Sequence, residues 1–128
     1  FLCGIEELKK TITELGMPAF RSNQIRDWMG EVVKNGGSGV DAYVPGYSMG
    51  GKTGTSQVRS ISKKERATGV LTNEQLQWNM RNHGLFVGYA PTDKPRYVVC
   101  AITEHSGGSS QAARPVSAVM KELLKGYK

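Results

Sequence analysis

The sequence predicts an α+β fold in which antiparallel strands are covered by a C-terminal helix and preceded by a short helical hairpin. Three observations carry that prediction. Leu85-Phe-Val-Gly-Tyr-Ala90 and Arg96-Tyr-Val-Val-Cys-Ala-Ile-Thr103 are β-branched and aromatic runs separated by Pro91-Thr-Asp-Lys-Pro95, which is the signature of a hairpin. Near the end, Val116, Val119, Met120, Leu123, Leu124 and Tyr127 recur at helical spacing, with Lys121, Lys125 and Lys128 left for the outer face. Near the start, two further apolar sets repeat with a helical period.

In chain order, Ile5, Leu8, Ile12 and Leu15 line one face of a first helix, and Gly16 supplies its stop. Phe20, Ile25, Trp28 and Met29 form a second apolar set after Pro18, with Arg21 and Arg26 on the outer face. Glu31-Val-Val33 is a short apolar step, and residues 34–39 read by composition as a turn or flexible connector. Gly50-Gly51-Lys52-Thr53-Gly54-Thr55-Ser56-Gln57-Val58 reads as a strand whose glycines let a ligand's backbone lie alongside. Residues 60–72 are polar and predict a solvent-facing excursion. Residues 73–80 predict a helical turn capped by Asn73. Trp78 and the tyrosines are read as packing residues, and Met120 as core.

At 128 residues the chain has room for one domain with a modest core. Hydrophobic residues make up 38% and there are 16 glycines, so backbone entropy weighs heavily and a partner surface is expected to help. The net charge of +6 comes from 17 basic residues spread along the chain, which describes a solvated basic surface better than a polyanion site. Cys3 and Cys100 lack Cys-x-x-Cys spacing, so neither a metal knuckle nor a redox pair is predicted, and a disulfide between them stays open. No run reaches the roughly 18 apolar residues needed to span a membrane, and the first residues lack the plan of a signal peptide.

The glycine-flanked stretch fits two motifs. Gly46-Tyr-Ser-Met-Gly-Gly51-Lys52-Thr53 matches the phosphate loop G-x-x-x-x-G-K-[ST], but that loop needs a buried strand before it and a helix directly after the lysine. Pro45 stands upstream and Gly54 falls in what would be the first helical turn, so a nucleotide binder is the less favoured reading. The other motif is Lys-Thr-Gly, which accompanies S-x-x-K and S-x-N in serine acyl-transfer enzymes.

Together with Arg81-Asn-His-Gly-Leu-Phe-Val-Gly-Tyr-Ala-Pro91 and Glu104-His-Ser-Gly-Gly108, the Lys-Thr-Gly stretch makes residues 30–128 resemble the C-terminal part of the penicillin-binding protein 2 family. These are class B peptidoglycan D,D-transpeptidases, anchored in the cytoplasmic membrane and facing the periplasm. The resemblance implies a partial penicillin-binding transpeptidase fold with no metal or organic cofactor. It implies that Lys52 is the catalytic cation sustaining a positive field around the leaving group. Thr53 and Thr55 would hold the carboxylate of a stem peptide or β-lactam, Gly54 would permit close approach, and the Thr55 N–H would supply half of an oxyanion hole. The substrate would add as a strand along this edge. His83 and His105 would be hydrogen-bonded structural residues, which suits two histidines without an acidic or thiol cluster.

The family's S-x-x-K and S-x-N precede Lys-Thr-Gly, and nothing before Lys52 fits either pattern. Ser60-Ile-Ser-Lys63 spells S-x-x-K, but after Lys-Thr-Gly and in a polar excursion, so Ser60 is a poor candidate nucleophile. The expectation is a chain inactive by itself, whose partners are the remaining N-terminal part of the transpeptidase domain and, through its uncovered apolar surfaces, further copies of itself. Residues 1–29 resemble something else, the N-terminal helical segment of radical-SAM rRNA/tRNA adenine C2-methyltransferases, without the three cysteines that hold their iron-sulfur cluster. That implies a chimera joined near residue 30. Its alternative function is a nucleic-acid-binding accessory module using Lys9, Lys10, Arg21 and Arg26, although nucleic acid is the less expected partner.

Overall fold

Along His83–Ala90 the residues alternate between half-buried and buried, and along Tyr97–Thr103 between exposed and half-buried. This period of two makes them strands with one face turned to a core. The structure is a computed structural model and describes residues 5–18, 20–34 and 37–126. Its helices are α1 (Ile5–Glu14), α2 (Arg21–Val33), α3 (Lys63–Thr68) and α4 (Ser110–Lys125), and its strands are β1 (Gly50–Ser56), β2 (His83–Ala90) and β3 (Tyr97–Thr103). Short 3-10 turns lie at Val40–Ala42, Asn73–Gln75 and Trp78–Met80.

The three strands form one antiparallel sheet in the order β1-β2-β3, with Lys52 opposite Val87 and Val87 opposite Cys100. The register puts Thr53, Phe86 and Ala101 on one face, and Lys52, Val87 and Cys100 on the other. Helix α4 covers the first face. Its Ala112, Ala113, Val116, Met120 and Leu124 are buried with Phe86 and Ala90. The core closes on the β1 side through Val32 and Val33 of α2, Ala42, Val44 and Met49, while the Tyr47 hydroxyl donates to the Leu124 carbonyl at 3.2 Å.

The predicted α+β architecture is therefore observed, with differences that have physical causes. Gly16 adopts φ +76°, the left-handed conformation that ends α1 as expected. Leu15 lies beyond the helix and is exposed, so only Ile12 of the predicted stripe is seen buried; the side chains of Ile5 and Leu8 are outside the description. Of the predicted apolar face, Phe20, which is the N-cap of α2, and Trp28 are exposed, and the buried residues of α2 are Ser22, Val32 and Val33. The apolar step at 31–33 is the last turn of α2, which runs unbroken through residues 29 and 30. Tertiary contact with the core favours that turn over the connector its glycine-rich sequel suggested. On α4, Val119 and Leu123 are exposed although they share the helical spacing of Val116 and Met120. Cys3, Tyr127 and Lys128 lie outside the described residues.

The solvent-facing excursion contains α3, whose N-cap Ser62 accepts from the Glu65 N–H at 3.1 Å. Residues 73–80 hold two 3-10 turns, and Asn73 is not their cap. The Gln75 side chain reaches back to the Thr72 N–H at 2.9 Å, while Asn73 donates to the Gly107 carbonyl at 2.6 Å and accepts from the Asn82 N–H at 3.3 Å. Asn73 is taken up by a long-range contact that no local pattern announces.

Arg59 is tied to Glu65 by two parallel bonds of 2.8 and 2.5 Å, with both side chains largely covered. The Arg59 guanidinium, chiefly through this hydrogen bonding, holds the Glu65 carboxyl below its ordinary range. A carboxylate whose folded pKa is depressed contributes stability above its unfolded value, near 4.5, and loses that contribution as pH falls through the folded value. The wild type should therefore lose stability on acidification below about 4.5 more steeply than Glu65→Gln, in urea titrations repeated from neutral to acid pH. Parallel curves would show that this pair does not couple folding to pH.

Candidate functional site

Lys52, Thr53, Gly54 and Thr55 fall together in the middle of β1, where alternation sends Lys52 and Gly54 to one face and Thr53 and Thr55 to the other. β2 pairs with one edge of β1, and among the described residues no strand pairs with the other. Thr53 is half-buried and its hydroxyl lies 3.3 Å from that of Ser38, while Thr55 is exposed. The Lys52 ammonium donates to the Thr53 carbonyl at 2.8 Å and stands 5.3 Å from the centre of the Trp28 ring on α2. The ammonium is thus held beside the strand by a carbonyl and an aromatic face, and among the described residues no carboxylate forms a salt bridge with it.

Glycine shapes both ends of this wall. A Cβ on Gly51 would come within 2.5 Å of the Phe86 ring and 2.9 Å of the Val87 carbonyl, so the strand approaches β2 here only because the side chain is missing. A Cβ on Gly54 would meet the Leu85 Cβ at 3.3 Å, a tighter fit than most, beside the ammonium. Next to Gly50, burial pushes the Tyr89 phenol above its ordinary range.

The other residues singled out by sequence lie elsewhere. Ser60 is exposed and precedes α3, which begins only at Lys63, so the two are not stacked one turn apart on a helix. The phosphate-loop pattern at 46–53 runs into a strand that continues to Ser56, so no helix N-terminus follows Lys52 to meet a phosphate. His83 accepts the His105 N–H on its Nδ1 at 2.9 Å, and His105 Nδ1 lies 3.0 Å from the Arg81 carbonyl. His105 has φ +49° and packs edge-on against Trp78, so hydrogen bonds and ring contacts together hold a backbone conformation rare for a non-glycine residue. Both histidines are thus structural ties between the start of β2 and the turn after β3. Among the described residues, no group of three or more metal-ligating side chains converges, and no helix is long and apolar enough to cross a membrane.

Two participants escape sequence reasoning. Ser38 sits in a Gly-Gly-Ser-Gly connector with no periodic signal, and only folding brings its hydroxyl to Thr53. Trp28 belongs to an apparent core stripe, yet it stands exposed over Lys52. A cleft of about 480 Å³ beyond the end of β1 is lined by Gln57, Arg59, Asn73, Arg81 and Ser106. Its cations are engaged, Arg59 with Glu65 and Arg81 with the Leu76 carbonyl, so it is a structural network separate from the Lys52 wall.

Comparison with known proteins shows the family of the chain. The family model for the penicillin binding protein transpeptidase domain matches residues 6–125, a span that takes in α2 and nearly all of α1 as well as the sheet. The chain is 40% identical over 97 residues to the peptidoglycan D,D-transpeptidase MrdA of Acinetobacter baumannii, covering 73% of this chain and 14% of that protein. It is 37% identical over 108 residues to the stage V sporulation protein D of Bacillus subtilis, covering 80% and 15%. The D,D-transpeptidase domain of a peptidoglycan glycosyltransferase from Eggerthella lenta superimposes with a TM-score of 0.60 at 26% identity, covering 88% of this chain and 22% of that one. The chain thus spans a small part of the length of these relatives, and that part belongs to the penicillin-binding protein transpeptidase domain family.

Proposed function

We propose that β1 is the substrate-holding wall of a peptidoglycan D,D-transpeptidase site of the penicillin-binding protein 2 class, and that the attacking serine comes from outside these 128 residues. The observation that carries this reading is Lys52-Thr53-Gly54-Thr55 on a strand with one edge that no strand pairs among the described residues, in a chain of this family. A carboxylate lying along that edge meets the Thr53 and Thr55 hydroxyls. The Lys52 ammonium stabilises the negative charge that develops as the acyl group transfers, and the Thr55 N–H serves as one oxyanion donor. The stem peptide adds its backbone to β1 as a further strand, so the edge supplies affinity and the side chains supply selection. Ser60 lacks a lysine in position to take its proton, so the chain alone carries out no acyl transfer. The membrane anchoring of the family belongs to the same proposal.

The test combines intact mass after excess penicillin with amide NMR titration of a stem peptide bearing a free carboxylate. The expected result is no covalent adduct and shift changes centred on residues 52–56, abolished by Thr53→Val. A penicillin adduct on Ser60 would overturn the divided site, and unmoved β1 amides would overturn carboxylate holding. The methyltransferase likeness of residues 1–29, with nucleic acid as partner, is the weaker reading of α1 and α2. Lys9, Lys10 and Arg26 there pair with Glu6, Glu14 and Asp27, which diminishes the field a phosphate backbone would meet.

A further inference from the structure

Ser38 is carried to the Lys52 wall by backbone that leaves it little freedom. Its neighbours are pinned to the end of α2, the Gly37 N–H donating to the Lys34 carbonyl at 2.8 Å and the Gly39 N–H to the Val32 carbonyl at 2.8 Å. A Cβ on Gly37 would overlap the Val32 carbonyl, and one on Gly39 would lie 2.6 Å from the Phe86 ring and 3.0 Å from a Val32 methyl. Close approach to α2 and to the core thus fixes the chain on both sides of Ser38, in a stretch whose composition predicts a flexible connector. The Ser38 side chain is exposed, and its hydroxyl stands 3.3 Å from that of Thr53. Among the described residues, neither hydroxyl has another hydrogen bond.

We propose that Ser38 is a positioning residue for the substrate carboxylate, holding the Thr53 hydroxyl so that its proton faces the anion. The inference deepens the reading of β1 as the substrate-holding wall and rests on it. A threonine hydroxyl has a single proton to give, and a carboxylate only accepts. Once the Thr53 proton goes to the carboxylate, the contact with Ser38 has one direction left, with Ser38 donating and Thr53 accepting. In the resulting chain, Ser38 O–H to Thr53 O–H to carboxylate, a hydroxyl that accepts becomes a better donor, so the bond that meets the charge is strengthened. At 3.3 Å the two hydroxyls stand farther apart than a strong pair, and the anion draws them together. Ser38 needs no contact of its own with the substrate. It acts by being placed beforehand, because folding and not binding orders the connector that carries it.

The test is amide NMR titration of the 128-residue chain with a stem peptide ending in a free carboxylate, and with the same peptide ending in a carboxamide. Ser38→Ala should weaken binding of the carboxylate peptide about three- to tenfold in Kd, and Ser38→Thr, which keeps the hydroxyl, should stay within about twofold of the wild type. With the carboxamide, Ser38→Ala should change Kd by less than about twofold, because the hydroxyl chain then meets no charge. Ser38 is exposed and its backbone is set by its neighbours, so these changes leave the fold intact, which circular dichroism checks. In the peptide-free protein, three-bond couplings of Thr53 should report one χ1 rotamer in the wild type and averaging in Ser38→Ala. Wild-type affinity in Ser38→Ala overturns the proposal, and so does an equal loss for the two peptides, which a merely structural serine would give. If neither peptide moves the wild-type β1 amides, the reading of β1 fails and carboxylate positioning falls with it. The Thr53 couplings then still decide whether Ser38 orients that hydroxyl.

Discussion

Phe86→Ala is expected to lower the unfolding free energy by about 3–5 kcal/mol, since Phe86 is the largest fully buried side chain among the described residues. Phe86 is 1% exposed at the centre of β2, facing Val116 and Met120 of α4 across the core. Its ring also defines the space left by three glycines. A Cβ on Gly39, Gly51 or Gly88 would lie 2.6, 2.5 or 3.2 Å from it, so backbone from the connector and from two strands closes around one side chain. Such a site collapses poorly when emptied, because on the glycine side the atoms around it are backbone and cannot swing in to fill the space. A domain of this size has about 6–19 kcal/mol to lose, and its small core places it near the lower bound. Urea denaturation followed by circular dichroism should show the midpoint falling steeply or the transition vanishing. A loss under about 1 kcal/mol would mean that the sheet and α4 are not held together by this contact.

Gly84→Ala is expected to cost about 1–3 kcal/mol, at the upper end of that range, through overlap and not through a cavity. A Cβ at Gly84 would lie 2.1 Å from the Gly108 carbonyl oxygen and 2.8 Å from the Ser106 hydroxyl. The obstacle is backbone in a turn that is itself fixed. The Gly107 N–H donates to the Asn82 carbonyl at 3.0 Å, Asn73 holds the Gly107 carbonyl, and Thr103 donates to the Gly84 carbonyl at 3.3 Å. Relief requires moving the turn that starts α4 away from β2. Gly108→Ala, where an added Cβ meets nothing within 4 Å, should be neutral to within about 0.5 kcal/mol. Hydrogen exchange should then show lost protection at the start of both β2 and α4 in Gly84→Ala alone. Equal effects of the two substitutions would mean that the close approach at Gly84 is not what matters.

The parts of the fold legible in the sequence are those whose signal is local and periodic. β2 and β3 announce themselves by β-branched runs around a proline-bounded loop, and α4 by Val116, Met120 and Leu124. The stretch at β1 was legible as a strand for a chemical reason, since Gly54 and the polar residues after it exclude the helix a phosphate loop requires. Less legible was the sidedness of the opening helices. Phe20 at the cap of α2 and Trp28 within it keep helical spacing, but the core is met by Val32 and Val33 in its last turn, and only the placement of β1 decides which residues are covered. The cap at residue 72 was missed because Asn73, the better local capping residue, is drawn off by Gly107, far along the chain.

Residue chemistry along the chain by itself determined the class of this protein. The order of Lys-Thr-Gly, a hairpin and an amphipathic helix needs no third dimension, because spacing within a strand or helix is fixed by backbone geometry. Only the tertiary structure decided what surrounds the Lys52 wall. Ser38 beside Thr53, Trp28 over Lys52, and the ring pair His83 and His105 across the sheet end all join residues well separated in sequence. Such contacts arise when packing of Phe86 against α4 fixes the elements relative to one another, and no local pattern encodes them.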